Sequence, residues 1–422
     1  MSAARLDPPR DALAVARALA HRDAVVLVWT DGGKRAYVAC DPVATSRALD
    51  PEPELVPTER ADGRFPRWFG LVPYEARRSL ERRAHDARPE PELTLPLWRR
   101  YDAVVEIASE VRVLGVTSQA QNELSEKLAD GLRAPLARRP ARLSLRERAE
   151  RGSEHVRRIE RALELIGRGE VYEVNLARRF ELGVEGALWD VFEALTPDGR
   201  PPYSAVFAWP ELGVVAASPE LCLALEPDGT ARTSPIKGTR PRHPDAARDR
   251  ALAAELDADP KERAELAMVI DVERSDLGRV ALPGSVRLAK GPLVESHPGV
   301  HHRVATVEAR LRADVTRTEV LEAMLPSGSV TGAPKIRAME VIAELEPVRR
   351  GLYTGAFGVL RHDASLELGM AIRVLTVRGE KGSYFSGGGI VADSDPGREV
   401  EETLWKASAL VRTAGGRAEN WA

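Results

Sequence analysis

Cysteine and lysine are the scarce residues of this 422-residue chain. Its two cysteines, Cys40 and Cys222, are too few and too far apart for a disulfide framework or a thiolate metal cluster, so both read as small buried hydrophobes. Charge of one sign is also missing. A formal balance of -3 gives no long-range attraction for nucleic acid or an anionic membrane, so neither is an expected partner. Residues 1–20 carry acidic and basic side chains with no uninterrupted apolar run. Neither a signal peptide nor a membrane span is visible there, and the expected location is the cytoplasm. Only eight of the 61 basic residues are lysine. A lysine kept where arginine is the rule marks a need for an amine, which can shed its proton near neutral pH and act as nucleophile or base.

What is present has the length of roughly two to three domains or one large body. Two runs, 24–29 and 35–39, flank Asp31-Gly32-Gly33 and read as a hairpin. Residues 68–75 form an aromatic cluster suited to packing, 101–116 alternate as a strand pair, and 134–148, rich in Pro and Arg, reads as a linker. Ser153 is placed to cap a helix whose apolar Val156, Ile159, Leu163 and Ile166 recur at helical spacing before Gly167 and Gly169. Strands are expected at 171–182, 206–209, 214–218 and 221–225, with Pro227-Asp228-Gly229 turning the chain into Ser234-Pro235-Ile236-Lys237-Gly238-Thr239-Arg240. There Pro235 and Gly238 make a stiffened loop around Lys237. A surface turn lysine is the other reading. One long helical segment is expected over 244–275, strands at 285–288 and 304–310, and short helices at 319–325 and 333–343. Strands at 356–361, 366–376 and 382–385 and a closing helix over 397–414 complete the chain. Strands in runs and helices in blocks argue for an α+β fold over a doubly wound parallel sheet.

Glu262 and Glu265, like Glu399 and Glu402, lie three apart on expected helices and so share a face. Four such carboxylates would suit Mg²⁺, a hard ion that takes oxygen ligands; solvated surface pairs are the alternative. The Gly/Ser/Thr loop 326–335 runs into a helix and offers backbone N–H groups, but Lys335 after Pro334 rules out a Walker A loop. Gly387-Gly388-Gly389, after a strand, lets backbone approach a ligand closely or makes a plain turn. His302 and Arg373 are polar residues within apolar runs, either paired core residues or, for the arginine, a clamp for a carboxylate.

Taken together, six segments resemble the chorismate-utilising enzymes, a family that includes anthranilate synthase component I, aminodeoxychorismate synthase component I and isochorismate synthases. They are Ala217-Ser218-Pro219-Glu220, Pro235 to Arg240, Asp271 to Val280, Leu325 to Lys335, Arg350 to Gly355 and Gly387 to Pro396. They follow in the family's order over residues 150 to 415. The resemblance implies large antiparallel sheets in a sandwich-like core flanked by helices. A catalytic domain is expected over 149–416, after an N-terminal part (1–148) that contributes strands to the core and before a tail (417–422). It implies Glu220 as general acid for loss of the chorismate C4 hydroxyl, and Mg²⁺ on Glu262, Glu265, Glu399 and Glu402. His302 is implied in the pocket as a further catalytic residue, and Thr331, Tyr353, Arg373, Lys406 and the Gly387, Gly388 and Gly389 amides as substrate-binding groups.

Position 237 separates the branches. In the family, anthranilate synthases carry Ala there and aminodeoxychorismate synthases carry Lys, which attacks chorismate C2 before ammonia adds at C4. The resemblance is therefore nearest to the branch that makes 4-amino-4-deoxychorismate for 4-aminobenzoate and folate. Anthranilate synthesis, or both activities, is the alternative, with a non-catalytic relative further off. Isochorismate and salicylate synthases use a water-activating Lys at the place of Glu173 in Tyr172-Glu173-Val174-Asn175-Leu176-Ala177-Arg178, so water attack is disfavoured. Glu173 departs from the Gln of the amino-transferring branches, and Glu273 and Ser275 stand where Ala or Val and Asn are usual. A tryptophan-binding Leu-Leu-(Asp/Glu)-Ser segment is not found, and neither Cys lies in a Gly-x-Cys-x-Gly setting. A separate glutamine amidotransferase supplying ammonia is the implied partner.

Overall fold

A computed structural model describes residues 11–52, 65–76, 88–146 and 150–415. In chain order, α1 (Ala12–Leu19) precedes β1 (Val25–Thr30), β2 (Arg35–Ala39), β3 (Ala44–Ser46), β4 (Pro66–Val72), β5 (Leu97–Arg100), β6 (Ala103–Ile107) and β7 (Val111–Gly115). Then come α2 (Ser118–Arg133), β8 (Arg142–Leu145), α3 (Gly152–Gly167), β9 (Glu173–Glu185), α4 (Leu188–Leu195), β10 (Tyr203–Ala208), β11 (Gly213–Ser218), β12 (Leu221–Leu225), β13 (Thr230–Ser234) and β14 (Ile236–Pro241). The chain continues through α5 (Ala246–Ala258), α6 (Pro260–Gly278), β15 (Arg287–His297), β16 (Val300–Arg310), α7 (Arg317–Met324), β17 (Gly332–Ala333) and α8 (Lys335–Leu345). It closes with β18 (Ala356–Arg361), β19 (Leu366–Met370), β20 (Val374–Arg378), β21 (Lys381–Ile390), α9 (Pro396–Lys406) and α10 (Ser408–Thr413).

The strands form two antiparallel sheets, and the fold is α+β. The larger, of eleven strands, runs β17-β9-β21-β20-β11-β10-β1-β2-β6-β7 with β8 beside β9. The other, of ten, runs β14-β16-β13-β12-β19-β18-β4-β5-β3 with β15 beside β16. Strand periodicity shows why they stack. Along β1, Val25, Leu27 and Trp29 join a cluster with α1, α2, α4 and α10, whereas Val26 and Val28 join Phe69, Leu71, Phe207, Phe357 and Val359 between the sheets. The far face of the ten-stranded sheet packs on α6 and α7 through Leu223, Val307, Leu360, Leu368, Leu266, Ile270 and Leu321. The layers are helix, sheet, sheet, helix. Strands from the first 115 residues lie inside both sheets: β1 pairs β10, and β4 pairs β18.

The hairpin, the 103–115 strand pair and the buried Cys40 and Cys222 match expectation. Other readings need correction. The supposed linker contains β8, whose buried Leu143 alternates with exposed neighbours and pairs with β9; residues 147 and 148 lie outside the described residues, as do the 148/149 boundary and the tail. The helix near Ser153 begins at Gly152 with Arg151 as its cap, leaving Ser153 in the first turn. The long helical segment is two helices, because Asp259 accepts from Lys261 N and Glu262 N and Pro260 opens a new helix. The closing helix likewise breaks at Ala407. Run 366–376 is two strands, β19 and β20, in different sheets, with the crossing at residues 371–373.

Candidate active site

The cavity that gathers the expected residues, of about 330 Å³, opens where β14, at the end of one sheet, faces β9 and β21, near the end of the other. Its size suits one small ligand. Lys237 enters from β14. Its segment is strand rather than free loop: Ile236 pairs with Val304 and Thr239 with His302, so Lys237 and Gly238 stand against one residue, Arg303, in a bulge. Gly238 takes φ +86°, and a Cβ there would lie 2.9 Å from the Glu262 carboxylate. The bulge turns Lys237 across the cavity to β9, where its Nζ donates to Glu173 Oε1. Both side chains are largely buried, 10% and 3% exposed. Burial alone would lower the pKa of Lys237, but Glu173, with Glu265 and Glu220 nearby, raises it above the ordinary 10.5. The amine is a paired ammonium in the free protein.

Glu220 lies in the short Pro219-Glu220 link between β11 and β12, is 4% exposed and accepts from Ser329 Oγ at 2.6 Å. Burial pushes it up to about 8, Glu273 adds to the rise, and Ser329, Lys237 and Lys406 oppose it. A carboxyl that keeps its proton at neutral pH in an enclosed cavity is equipped to give it away.

Glu262 and Glu265 on α6 and Glu399 and Glu402 on α9 all line this cavity. Gly388 makes room for the α9 pair, since a Cβ there would stand 3.3 Å from Glu402 Oε1 and 3.4 Å from Glu399 Oε2. Their charge is balanced by cations: Lys406 lies 2.5 Å from Glu402, Lys261 3.8 Å from Glu265, and Arg240 3.5 Å from Glu262. Burial raises Glu265 to about 7 and also raises Glu399, so the site bears more carboxylate than it comfortably ionises. Among the described residues no group of three or more acidic, imidazole or thiol side chains is arranged to hold a metal ion with the side chains as they stand. The donor chemistry nevertheless suits a hard divalent cation: two carboxylate pairs on one cavity, part of their charge neutralised by lysines.

The remaining expected residues distribute unevenly. Arg373 lines the cavity at the crossing between β19 and β20, with φ +51°, and Ala217 N–H holds its carbonyl at 3.1 Å. It is therefore not a mid-strand residue; the sheet-to-sheet crossing places it in a backbone region that costs about 1–3 kcal/mol outside glycine. His302 lines the cavity from β16, its Nδ1 is 2.9 Å from Thr239 Oγ1, and its buried Nε2 has no partner among the described residues. Burial, with Arg373 and His297, keeps the imidazole neutral. Tyr353 lines the wall and stacks on Phe385 at 5.1 Å. The glycines Gly387, Gly388 and Gly389 lie inside β21 rather than after it, paired with Ala177, Leu176 and Asn175 of β9. Neighbour β20 pairs β21 only as far as Tyr384, so their other edge faces the cavity, which Gly387 and Gly389 line. Lys406 Nζ donates to Gly387 O at 3.0 Å. Thr331 is fully buried with its hydroxyl donated to Ser327 O at 2.9 Å; its neighbours Ser329 and Val330, not Thr331 itself, line the cavity.

Glu173 was legible only as an unusual residue; nothing in the chain order shows that it meets Lys237, 64 positions away. Ser329, Asn175 and Lys261 also line the site. A buried strut, Arg350, holds its back wall: the guanidinium pairs with Glu346 at 2.6 Å and donates to Asn175 O and Val330 O at 2.7 and 3.0 Å.

Comparison with known proteins gives the family and the fold. Residues 19–412 match the family described as chorismate binding enzyme. Aminodeoxychorismate synthase component 1 of Salmonella typhimurium is 42% identical over 243 residues, 58% of this chain and 53% of that protein. Anthranilate synthase component 1 of Streptomyces coelicolor is 43% identical over 266 residues, 62% and 51% of the two chains. The chain thus spans about half the length of these relatives. Anthranilate synthase component 1 of Pseudomonas putida is 36% identical over 374 residues, 84% of this chain and 75% of that one. Among solved structures, anthranilate synthase component I from Streptococcus pneumoniae superposes with a TM-score of 0.76 at 26% identity, covering 90% of this chain and 92% of that one. With the family matched from Leu19 to Arg412 and the fold shared, the chain belongs to the chorismate-binding enzymes.

Proposed function

We propose that the protein converts chorismate and ammonia to 4-amino-4-deoxychorismate, with ammonia delivered by a separate glutamine amidotransferase. The observation that carries the reading is an amine, Lys237, set in the cavity against a carboxylate that can take its proton and opposite an acid, Glu220. Lys237 passes a proton to Glu173, and its free amine attacks C2. Both ring double bonds shift, C1=C2 to C1=C6 and C5=C6 to C4=C5, and the C4–O bond breaks as Glu220 protonates the departing hydroxyl to water. Ammonia then adds at C4 and sheds a proton, both double bonds return, and the C2–N bond breaks to restore the Lys237 amine. One hard substitution becomes two allylic ones. Arg373 and the Gly387–Gly389 amides hold substrate carboxylates, with Tyr353, His302, Thr331 and Lys406 shaping or backing the pocket. Mg²⁺, when bound by Glu262, Glu265, Glu399 and Glu402, supplies positive charge for the ring carboxylate.

The purified protein incubated with chorismate, Mg²⁺ and an ammonium salt should form aminodeoxychorismate, identified by mass and absorbance. Lys237→Ala should abolish it. Anthranilate fluorescence without an added lyase would replace this reading with anthranilate synthesis.

A further inference from the structure

Glu220 is the near end of a buried chain of oxygens. Ser329 Oγ lies 2.6 Å from Glu220 Oε1, Ser327 Oγ 3.0 Å from Ser329 Oγ, and Ser327 Oγ 2.5 Å from Glu273 Oε1. Gly328 allows the approach, since a Cβ there would lie 2.3 Å from Val272 Cγ1 on α6. Glu273 is fully buried, and its Oε2 has no hydrogen-bond partner among the described residues. These three oxygen–oxygen contacts need three hydrogens, yet the two hydroxyls supply one each. The Ser329 backbone N–H, which points to Ser327 Oγ and Glu273 Oε1, adds no hydrogen between these oxygens. All three contacts are hydrogen bonds only when one of the two carboxyls is protonated, and turning both hydroxyls moves that proton from one end to the other.

We propose that Glu273 is a positioning residue that shares one proton with Glu220 through Ser327 and Ser329, and so holds Glu220 in the acid form needed to protonate the departing hydroxyl. The proposal rests on the reading of Glu220 as that acid. The alternative, two carboxylates, would break one hydrogen bond and bury two like charges. Burial raises both carboxyls, Glu220 to about 8 and Glu273 to about 7. The charges that face them are Lys237 and Lys406 toward Glu220, and Asp276 with its ion-pair partner Lys335, 2.5 Å apart, toward Glu273; the buried Cys222 beside them stays a neutral thiol. In turnover the shared proton leaves on the C4 oxygen as water. It is replaced when ammonia has added at C4 and the resulting ammonium sheds one.

Infrared difference spectra of the substrate-free full chain at pH 7 test the shared proton directly. Wild type minus Glu273→Gln and wild type minus Glu220→Gln should each show a clear loss of protonated-carboxyl intensity, because either amide supplies the missing hydrogen and favours ionisation of the other carboxyl. Retention of that intensity in either variant would overturn the proposal. In kinetics, Glu273→Gln and Ser327→Ala, each checked for native circular dichroism, should move the alkaline limb of kcat down by about one pH unit. From a limb near 8, that is about fivefold lower kcat at pH 8, approaching tenfold at higher pH and regained at pH 6, with KM unchanged. An unmoved limb in both variants would also overturn it. Wild-type turnover by Glu220→Gln would instead remove the acid assignment, and the infrared result would still decide whether the proton is shared.

Discussion

At the scale of single residues, the site is a set of charges kept in place by burial. Lys237 and Glu173 are each other's only close counter-charge in the ion pairs described, and removing one partner of a buried pair costs about 3–5 kcal/mol because the other is left alone. Glu173→Gln separates two jobs. Removing the negative charge takes away the main force raising the lysine pKa, so reaction of Lys237 with an amine-selective reagent should begin at lower pH. Turnover should nevertheless fall, since a carboxamide cannot take the proton; a variant with faster turnover at neutral pH would show that Glu173 only restrains the lysine. Glu220 makes a linked prediction about stability. Its pKa is raised in the folded state, from 4.5 to about 8, so the folded protein binds the extra proton and stability declines as pH rises through that window. Urea unfolding of the metal-free protein at pH 5.5 and 8.5 should show this decline, and Glu220→Gln should lessen it.

At the scale of elements, two helices carry the carboxylates and two strands the groups that face them. Helices α6 and α9 both begin with Asp and Pro, Asp259-Pro260 and Asp395-Pro396, which fix the first turn and thereby the direction of Glu262, Glu265, Glu399 and Glu402. Like charges held on one cavity oppose each other until a cation arrives. Mg²⁺ should therefore raise the melting temperature of the wild-type protein in thermal scans. Burial raises the Glu265 carboxyl to about 7, so Glu265→Gln should melt higher than wild type at pH 8 without Mg²⁺ and gain less from it, a reversal that a merely superficial acidic face would not produce. The paired carboxylates were readable from sequence, because pairs at spacing three need only a helix, but the helix start at Asp259-Pro260 inside the 244–275 run was not. The crossing between β19 and β20 was not readable: residues 366–376 are uniformly apolar enough to pass for one strand, and only the packing of two sheets requires the turn that puts Arg373 at positive φ. Likewise β8 hid among prolines and arginines, since a strand of four residues gives too short an alternation to outweigh such a composition.

At the scale of the whole molecule, the cavity exists because two large sheets stack and strands at one end of each, β14 in one and the β9–β21 pair next to β17 in the other, face each other across it. That placement depends on the first part of the chain. Strand β1 sits between β10 and β2, and β4 between β18 and β5, so residues before 116 complete both sheets and the apolar layer between them. A chain carrying only residues 150–415 would leave β10 and β18 as bare edges and expose Phe207 and Phe357, which pack edge to face across that layer. Such a fragment should be insoluble or unfolded when expressed alone. The full chain should unfold in a single calorimetric transition, with the calorimetric enthalpy matching the van't Hoff value, rather than in an N-terminal step followed by a catalytic one. Phe207→Ala tests the same point from inside: burial of this ring between the sheets gives an expected loss of about 3–5 kcal/mol. Because both sheets lean on the ring, the N-terminal strands and the cavity should be lost together, seen as coincident loss of tryptophan fluorescence and of Mg²⁺-dependent stabilisation in one urea titration. Separate midpoints for the two signals would show that the N-terminal part is a domain of its own.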